Sequence, residues 1–344
     1  MSEFFLELFS EEIPSSLQKN LRKNLLDSFN SLFDEKSITF KKSSSYSTPN
    51  RMIIVFEGLQ AQVVLKSEEI KGPSINAPEV ALEGFMKSNN IFEKDLFKKK
   101  IEKGEFYFFK TKMKKLNTNN LLEEFVPLTL KKVQWKKSMK WGEFDLNWGR
   151  PLKSILAVFG KKKLTFDFHH IVSSNSTFID KEFEEKKKIF HDFKSYESFF
   201  QKEGITVNQD KRKKIILKEF EKILTKKNLR IEDNDKLIEE VVNLTDKPYV
   251  LECSFDKKFL SIPKEILILT MQSHQKYFPL FTKKNEITNE FLVVANNKDQ
   301  KGLIKSGNER VIEARLSDAE FFWNKDKSQN LVKKVSELKS MNFF

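Results

Sequence analysis

Residues 270–281 read TMQSHQKYFPLF and set one of the chain's four histidines among amides, a lysine and a tyrosine. His274 has the chemistry of a general base. Gln275 and Lys276 suit nucleotide edges and phosphates, and Tyr277 suits stacking. A general base needs a second group that holds a nucleophile or a water within hydrogen-bond reach. No such partner stands out in the sequence. The wider search for self-contained catalysis is as sparse. There is no G-x-x-x-x-G-K-[ST] phosphate loop, no G-x-G-x-x-G after a strand, no H-E-x-x-H and no G-x-S-x-G elbow. The single cysteine, Cys253, cannot build a thiolate zinc site. His169 and His170 are adjacent, so on a strand they face opposite ways and do not share a metal. The expectation is a chain with no catalytic residue, no metal and no cofactor of its own.

Charge and arginine placement say more. The chain carries 62 basic against 49 acidic residues, a net charge of +13 with a pI near 9.4. Such a balance points to a polyanionic partner, nucleic acid first and a membrane surface second. Only seven of the basic residues are arginine, and phenylalanine is common at 34. That composition also fits AT-rich codon usage, which would put lysine on solvated faces without a function. The arginines are therefore the more informative cations, because a planar guanidinium fork matches phosphate better than an ammonium does. Arg51, Arg150, Arg310 and Arg315 lie in or beside Gly- or Pro-punctuated segments. Arg22, Arg212 and Arg230 lie in lysine-rich helical sequence, where a solvated face is expected. The candidate phosphate or nucleotide contacts are Arg51, Arg150, His274, Gln275, Lys276, Tyr277, Arg310 and Arg315. A structural alternative stands beside them: Arg310 and Arg315 could brace their helix through Glu309, Glu313, Asp318 and Glu320.

These residues need elements to hold them. The length of 344 residues suggests two or three domains. No stretch reaches the roughly 20 apolar residues of a membrane span. The N-terminus has glutamates where a signal peptide carries lysines, so a cytoplasmic location is expected. SEFFLELFS reads as a strand. Leu17, Leu21, Leu25, Phe29 and Phe33 then recur every four residues, a helix opened by Pro14, and RMIIVFEGL reads as a buried strand. Pro78 opens a short helix, EFYFFKTKMKK reads as a strand, and 119–133 as a helix containing Pro127. Trp141-Gly142 and Trp148-Gly149 bracket an expected short strand. Residues 181–244 read as two or three lysine- and glutamate-rich helices. Beyond them PYVLECSFDKKFL reads as a strand pair or a strand and turn, followed by a helix begun by Pro263, a strand pair and an almost continuous helix from 307 to 341. Its apolar positions are Val311, Leu316, Ala319, Phe322 and Trp323. The fold class is α+β and multidomain, with mixed or antiparallel sheets, packed helices and a lysine/glutamate-rich helical module. The expected divisions are an α+β region at 1–172, a helical module at 173–246 and an α+β region ending in a long helix at 247–344.

Read in order, the segments resemble the bacterial glycyl-tRNA synthetase beta subunit. FFLELFSEEIPSS is similar to that family's opening strand, Glu-Glu-hydrophobic-Pro and helix. STPNRMIIVFEGL is similar to its Thr-Pro-x-Arg strand start. KGPSINAP with ALEGFMKSNN, KSMKWGEFDLNWGRPLKSILAVFG, TMQSHQKYFPLF, and VVANN with GNERVIEARLSDAEFFWNKD complete six blocks in the family's order. The resemblance implies a holoenzyme of two alpha and two beta subunits that joins glycine to tRNA(Gly) using ATP with Mg. The alpha subunit carries the catalytic site and the beta subunit supplies tRNA binding. It also implies a longer chain, with a helical HD-type domain and an anticodon-binding domain after these residues. The present sequence therefore corresponds to the N-terminal portion, and anticodon recognition is not credited to it. The sequence departs from the pattern where the family has Gly-His-Arg-Phe: here stand Asn175, Ser176, Thr177 and Phe178, of which only the phenylalanine is retained. Ser273 stands where an acidic residue is usual. Two alternatives remain: a stand-alone RNA-binding module, and an editing hydrolase that uses His274 as its base.

Overall fold

The computed structural model of the chain describes residues 2–65, 69–101, 104–111, 114–179, 186–328 and 335. The expected helix over 181–185 lies outside these residues. So does the expected helical continuation past 328, residue 335 apart.

The first half runs β1 (Ser2–Ser10), α1 (Ser15–Glu35), β2 (Lys42–Thr48), β3 (Arg51–Leu59), β4 (Gln62–Leu65), β5 (Glu69–Ser74) and α2 (Glu79–Asn89). It continues through β6 (Leu96–Ile101), β7 (Gly104–Lys110), β8 (Lys114–Asn117), α3 (Thr118–Lys131), β9 (Leu152–Phe159) and β10 (Lys162–Lys163). Five of these strands form an antiparallel sheet in the order β10-β9-β1-β3-β2. β1 is central and apolar on both faces, because both faces are covered. Its period of two sends Phe4, Leu6 and Leu8 to a core shared with Leu25, Phe29 and Phe33 of α1 and Leu122, Val126 and Leu130 of α3. Pro127 sits inside α3 without ending it. Phe5 faces the other way, into a core with Ile53, Val55, Leu156 and Val158. Glu7 lies between Phe5 and Phe9 in this second set and is fully buried. Its burial is the one departure from an apolar β1 interior, and it needs a partner.

The segment between α3 and β9 departs from expectation. In place of a strand between the tryptophans there is a single antiparallel bridge from Met139 to Trp148. Trp135 packs on Trp148 with ring centroids 5.0 Å apart. A Cβ on Gly149 would fall 2.0 Å from the Trp135 ring, so only glycine lets the chain pass that closely. His169 and His170 form the turn between β11 (Asp167–Phe168) and β12 (Ile171–Val172), with His169 at φ 54°, and are not strand residues. His170 stacks on Phe144, centroids 3.6 Å apart, and its pKa is lowered by burial and then by His169.

The second half contains β13 (Ser176–Phe178), β14 (Lys187–Ile189), α4 (Phe193–Lys202), α5 (Gln209–Lys227), α6 (Asp235–Leu244) and β15 (Tyr249–Ser254). α7 (Lys264–Leu269), β16 (Phe278–Phe281), β17 (Ile287–Ala295) and α8 (Leu303–Lys327) follow. Lys187–Ile189 pairs with β13 as a strand, where helix was expected. Helix begins only after Asp192, whose carboxylate accepts the Ser195 N–H at 2.7 Å as the cap of α4. That bond, more than any charge, lowers the Asp192 pKa below its usual value. A depressed carboxylate pKa means that its stabilisation is present above the unfolded value and is lost as pH falls through the folded one. Asp192→Ala is expected to cost about 1 kcal/mol at neutral pH and to shrink the loss of stability in acid. Urea melts of both proteins across the acid range check this.

The three helices divide between two cores. Tyr196 and Phe200 of α4 cover the second face of the first sheet. Ile216 and Phe220 of α5 and Leu237, Ile238, Val241 and Val242 of α6 cover one face of a second antiparallel sheet, β15-β17-β16. The other face of that sheet packs on Leu267 and Met271, and on Ile312 and Leu316 of α8. The buried stripe of α8 is thus Ile312 and Leu316. Val311 and Phe322, expected within it, are exposed. Ile215, expected on the apolar stripe of α5, is also exposed.

Candidate nucleic-acid interface

The structure separates the seven arginines by accessibility, and not in the expected way. Arg51 opens β3 opposite Phe9, on the same sheet face as Glu7. That face is covered by α4, so Arg51 is 2% exposed. Its Nη1 donates to Glu7 Oε1 at 2.5 Å and to Thr177 Oγ1 at 3.2 Å. Its Nη2 donates to the carbonyls of Phe178 at 2.6 Å and Ile179 at 3.2 Å. The rings of Phe9 and Phe200 flank it at 4.5 and 4.4 Å. Tyr196 donates its hydroxyl to the same Glu7 oxygen. Burial opposes the Arg51 charge, but the Tyr196 and Glu7 oxygens outweigh it and raise its pKa. Burial, then Glu7, pushes the Tyr196 pKa well above the usual tyrosine value. Arg51 is therefore an internal brace and does not reach a phosphate. One of its acceptors, Thr177, lies where the sequence departs from the Gly-His-Arg-Phe pattern, and Phe178 holds the pattern's one retained position.

The lysine-rich helices hold the second surprise. Arg212, expected on a solvated face, is fully buried. It donates to the carbonyls of Val242 (3.0 Å), Thr206 (2.6 Å), Val207 (2.9 Å) and Ser47 (2.7 Å). Burial lowers its pKa to about 9, which leaves it charged at neutral pH. Arg22 is half-buried and donates to Ser47 Oγ at 2.5 Å and Asn243 Oδ1 at 3.3 Å. Arg230 lies over the Phe281 ring, 5.2 Å from its centroid. Arg150 is half-buried and folds back onto the Gly149 carbonyl at 2.7 Å.

Arg310 and Arg315 remain. Both are exposed on α8, and neither makes an ion pair among the described residues. Their spacing of five sets them about 140° apart around the helix, so they do not form one fork. Glu309, the nearest expected brace for Arg310, instead accepts the Ser254 N–H at 2.9 Å and stands 3.9 Å from Lys305.

TMQSHQKYFP forms a corner. α7 passes into a π-helical turn at Thr270–His274, and Lys276 takes the left-handed conformation at φ 60°. That reversal sends Tyr277 inward, 4% exposed, with its hydroxyl on Asn308 Oδ1 at 2.6 Å. Burial raises its pKa to about 12. It is therefore a protonated donor inside the fold and not an open stacking ring. His274 is exposed and has no hydrogen-bond partner among the described residues, so nothing orients it as a base. Lys276 donates to the Ser273 carbonyl and pairs with Glu240, at 3.0 and 3.1 Å. That pair is half exposed and worth at most about 1 kcal/mol, so a phosphate can compete for it.

Gln275, Lys276 and Tyr277 meet Val293–Asn297 at the end of β17, the C-terminus of α6 and Asn308 around a cavity of about 380 Å³. A second cavity, about 310 Å³, shares Leu244, Asn296 and Asn297 with the first and is lined by Glu12, Asn50, Arg51, Asp246 and Lys247. The asparagines of this cleft were missed by sequence reasoning. Asn296 Oδ1 accepts the N–H groups of Asp246 and Lys247, both at 2.9 Å, and fixes the link from α6 to β15. The available signal was the Asn-Asn pair closing VVANN. The lining mixes amides, both signs of charge and apolar walls. It can bond to nucleotide edges, but it lacks a nucleophile with an oriented base. Among the described residues no group of three or more His, Cys, Asp or Glu side chains could hold a metal ion. Nor is any helix among them long and apolar enough to cross a membrane.

The sequence profile of a family described as glycyl-tRNA synthetase beta subunit matches residues 4–344. The chain belongs to that family. The glycine–tRNA ligase beta subunit of Rickettsia felis is 36% identical over 346 residues, covering 100% of this chain and 52% of that protein. Those of Rickettsia peacockii and Rickettsia akari are each 37% identical over 344 residues, with 100% and 52% covered. The chain spans about half the length of the curated relatives it matches. Within the glycyl-tRNA synthetase beta subunit family, then, these residues form the N-terminal half, with an α+β fold of antiparallel sheets and packed helices.

Proposed function

We propose that this chain serves as the N-terminal half of the beta subunit of glycine–tRNA ligase. In this reading it binds tRNA(Gly) and supports glycylation at the active site of an alpha subunit. The holoenzyme uses ATP with Mg at the alpha subunit, is an α2β2 tetramer and is cytoplasmic. The family match from residue 4 to residue 344 carries the proposal. The accessible cations Arg310 and Arg315, the exposed His274, the half-buried Arg150 and the cleft residues Gln275 and Lys276 supply its candidate tRNA surface.

Each phosphate contact on RNA releases counterions and adds about one unit or slightly less to the slope of log affinity against log salt. Arg310→Ala and Arg315→Ala, in full-length beta subunit assembled with alpha subunit, are each expected to lower that slope for tRNA(Gly) by about one unit. Their melting temperatures should stay unchanged. An unchanged slope with a lower melting temperature would return both residues to a bracing role. Glycylation by added alpha subunit, with this chain against a full-length beta subunit, tests the reading as a whole. Failure of the full-length chain to associate with alpha subunit favours a stand-alone RNA-binding module instead.

A further inference from the structure

The small sheet β5-β7-β6 packs α2 against one face and carries the partly exposed rings of Phe97 and Phe106 on the other. On the covered side Phe85 of α2 packs edge-on against Phe109, with centroids 5.8 Å apart. It lies so close to Gly72 that a Cβ there would meet its ring at 2.6 Å. On the other side the register sets Phe97 and Lys71 opposite Phe108, and Lys99 opposite Phe106. Directly opposite residues share a face, so rings and lysines alternate across it. Phe97 is 36% exposed and Phe106 is half-buried, while Phe108 lies buried between them. The Lys71 ammonium stands 3.5 Å from the centroid of Phe106, and that of Lys99 stands 5.7 Å from Phe108. Lys110 completes three lysines against one carboxylate in register, Glu69, which pairs with Lys99 at 2.5 Å.

We infer that this face is a stacking platform for unpaired nucleotides of RNA. The rings present π-faces to bases, and the net positive charge around them complements phosphates. An apolar partner would have to desolvate the ammonium groups, and a duplex keeps its base faces inside the stack. Phe97 and Phe106 are diagonal neighbours on adjacent strands, roughly 7–8 Å apart, which separates two splayed bases and gives each its own ring. An exposed cation–π contact is weaker than the stacking of a base on the same ring, so a base displaces Lys71 and frees it for a phosphate. The inference rests on the tRNA-binding reading for its choice of RNA as the polyanion.

The test measures binding of labelled oligouridylate, against duplex RNA of the same length, to full-length beta subunit assembled with alpha subunit. Phe97→Ala with Phe106→Ala should weaken oligouridylate binding by about fivefold or more per ring and leave duplex binding unchanged. Phe97→Tyr with Phe106→Tyr should restore it, and an unchanged thermal midpoint of the alanine pair excludes a folding defect. Lys71→Gln should lower the salt slope by about one unit or slightly less. Equal binding by the alanine pair, or an equal loss for duplex, overturns the platform. Ring-dependent sedimentation with anionic lipid vesicles, without ring-dependent RNA binding, overturns it in favour of a membrane surface. Loss of tRNA(Gly) in Arg310→Ala with Arg315→Ala, while oligouridylate ignores the rings, rejects the platform and keeps the tRNA reading. Ring-dependent oligouridylate binding by an assembly that does not hold tRNA(Gly) does the reverse.

Discussion

Arg51→Ala is expected to lower the unfolding free energy by about 3–5 kcal/mol, the usual cost of removing one partner from a buried ion pair. The loss arises on the packing side of the fold and not at its surface. Glu7 is 0% exposed, and without Arg51 its carboxylate keeps only the Tyr196 hydroxyl on one oxygen. The other, Oε2, has no hydrogen-bond partner among the described residues even in the intact protein. The Phe178 and Ile179 carbonyls lose their donors at the same time. A companion variant, Glu7→Leu with Arg51→Met, recovers part of the loss, because replacing both members by apolar groups leaves no buried charge unpaired. Urea unfolding of the two singles and the double gives the coupling. Salt titration of tRNA(Gly) binding separates this role from a phosphate contact: the slope should not change in any Arg51 variant that folds. An Arg51→Ala protein with an unchanged midpoint and weaker tRNA binding would put the residue back at the interface.

Arg212→Met is the second large effect, expected at about 3–4 kcal/mol. A solvated helix residue would give at most about 0.5 kcal/mol. Arg212 ties β2 at Ser47, the link from α4 to α5 at Thr206 and Val207, and the end of α6 at Val242. Methionine fills much of the volume but satisfies none of these acceptors, and each buried carbonyl left without a donor costs about 1–3 kcal/mol before relaxation. Lysine should recover little, because one ammonium cannot reproduce a fork aimed at four carbonyls. Denaturant midpoints of Arg212→Met and Arg212→Lys, beside the exposed control Lys218→Met, decide it. Equal midpoints for Arg212→Met and the control would reject the buried-staple assignment.

Both effects turn on what a sequence can encode locally. The largely apolar runs FFLELF and RMIIVF, the four-residue recurrence from Leu21 to Phe33 and the placement of Pro14, Pro78 and Pro263 fixed these strands and helices. So did the strand pair Phe278–Phe281 and Ile287–Ala295. These are consequences of backbone geometry over a few residues, and the six ordered blocks sufficed for the family. Where local signals competed, the reading slipped. The Trp141–Trp148 stretch became a loop because close packing of Trp135 on Gly149 replaced strand pairing. Lys187–Ile189 became a strand because a partner at Ser176–Phe178 was within reach.

Accessibility was not legible, and it decides the candidate site. The sequence put Arg51 on one face of β3 and Arg212 in a lysine-rich helix. Only the tertiary structure showed that both faces are covered. The groups that bury or bind them are distant in the chain: Tyr196 is 189 residues from Glu7, and Ser47 is 165 residues from Arg212. Local periodicity assigns a side chain to a face. Whether that face meets water or another element depends on contacts at long sequence separation, which no short pattern records. The sequence by itself determined many of the elements, the fold class and the family. The tertiary structure decided that Arg51 and Arg212 are staples, that Tyr277 points inward, and that Arg310 and Arg315 are exposed without an ion pair among the described residues.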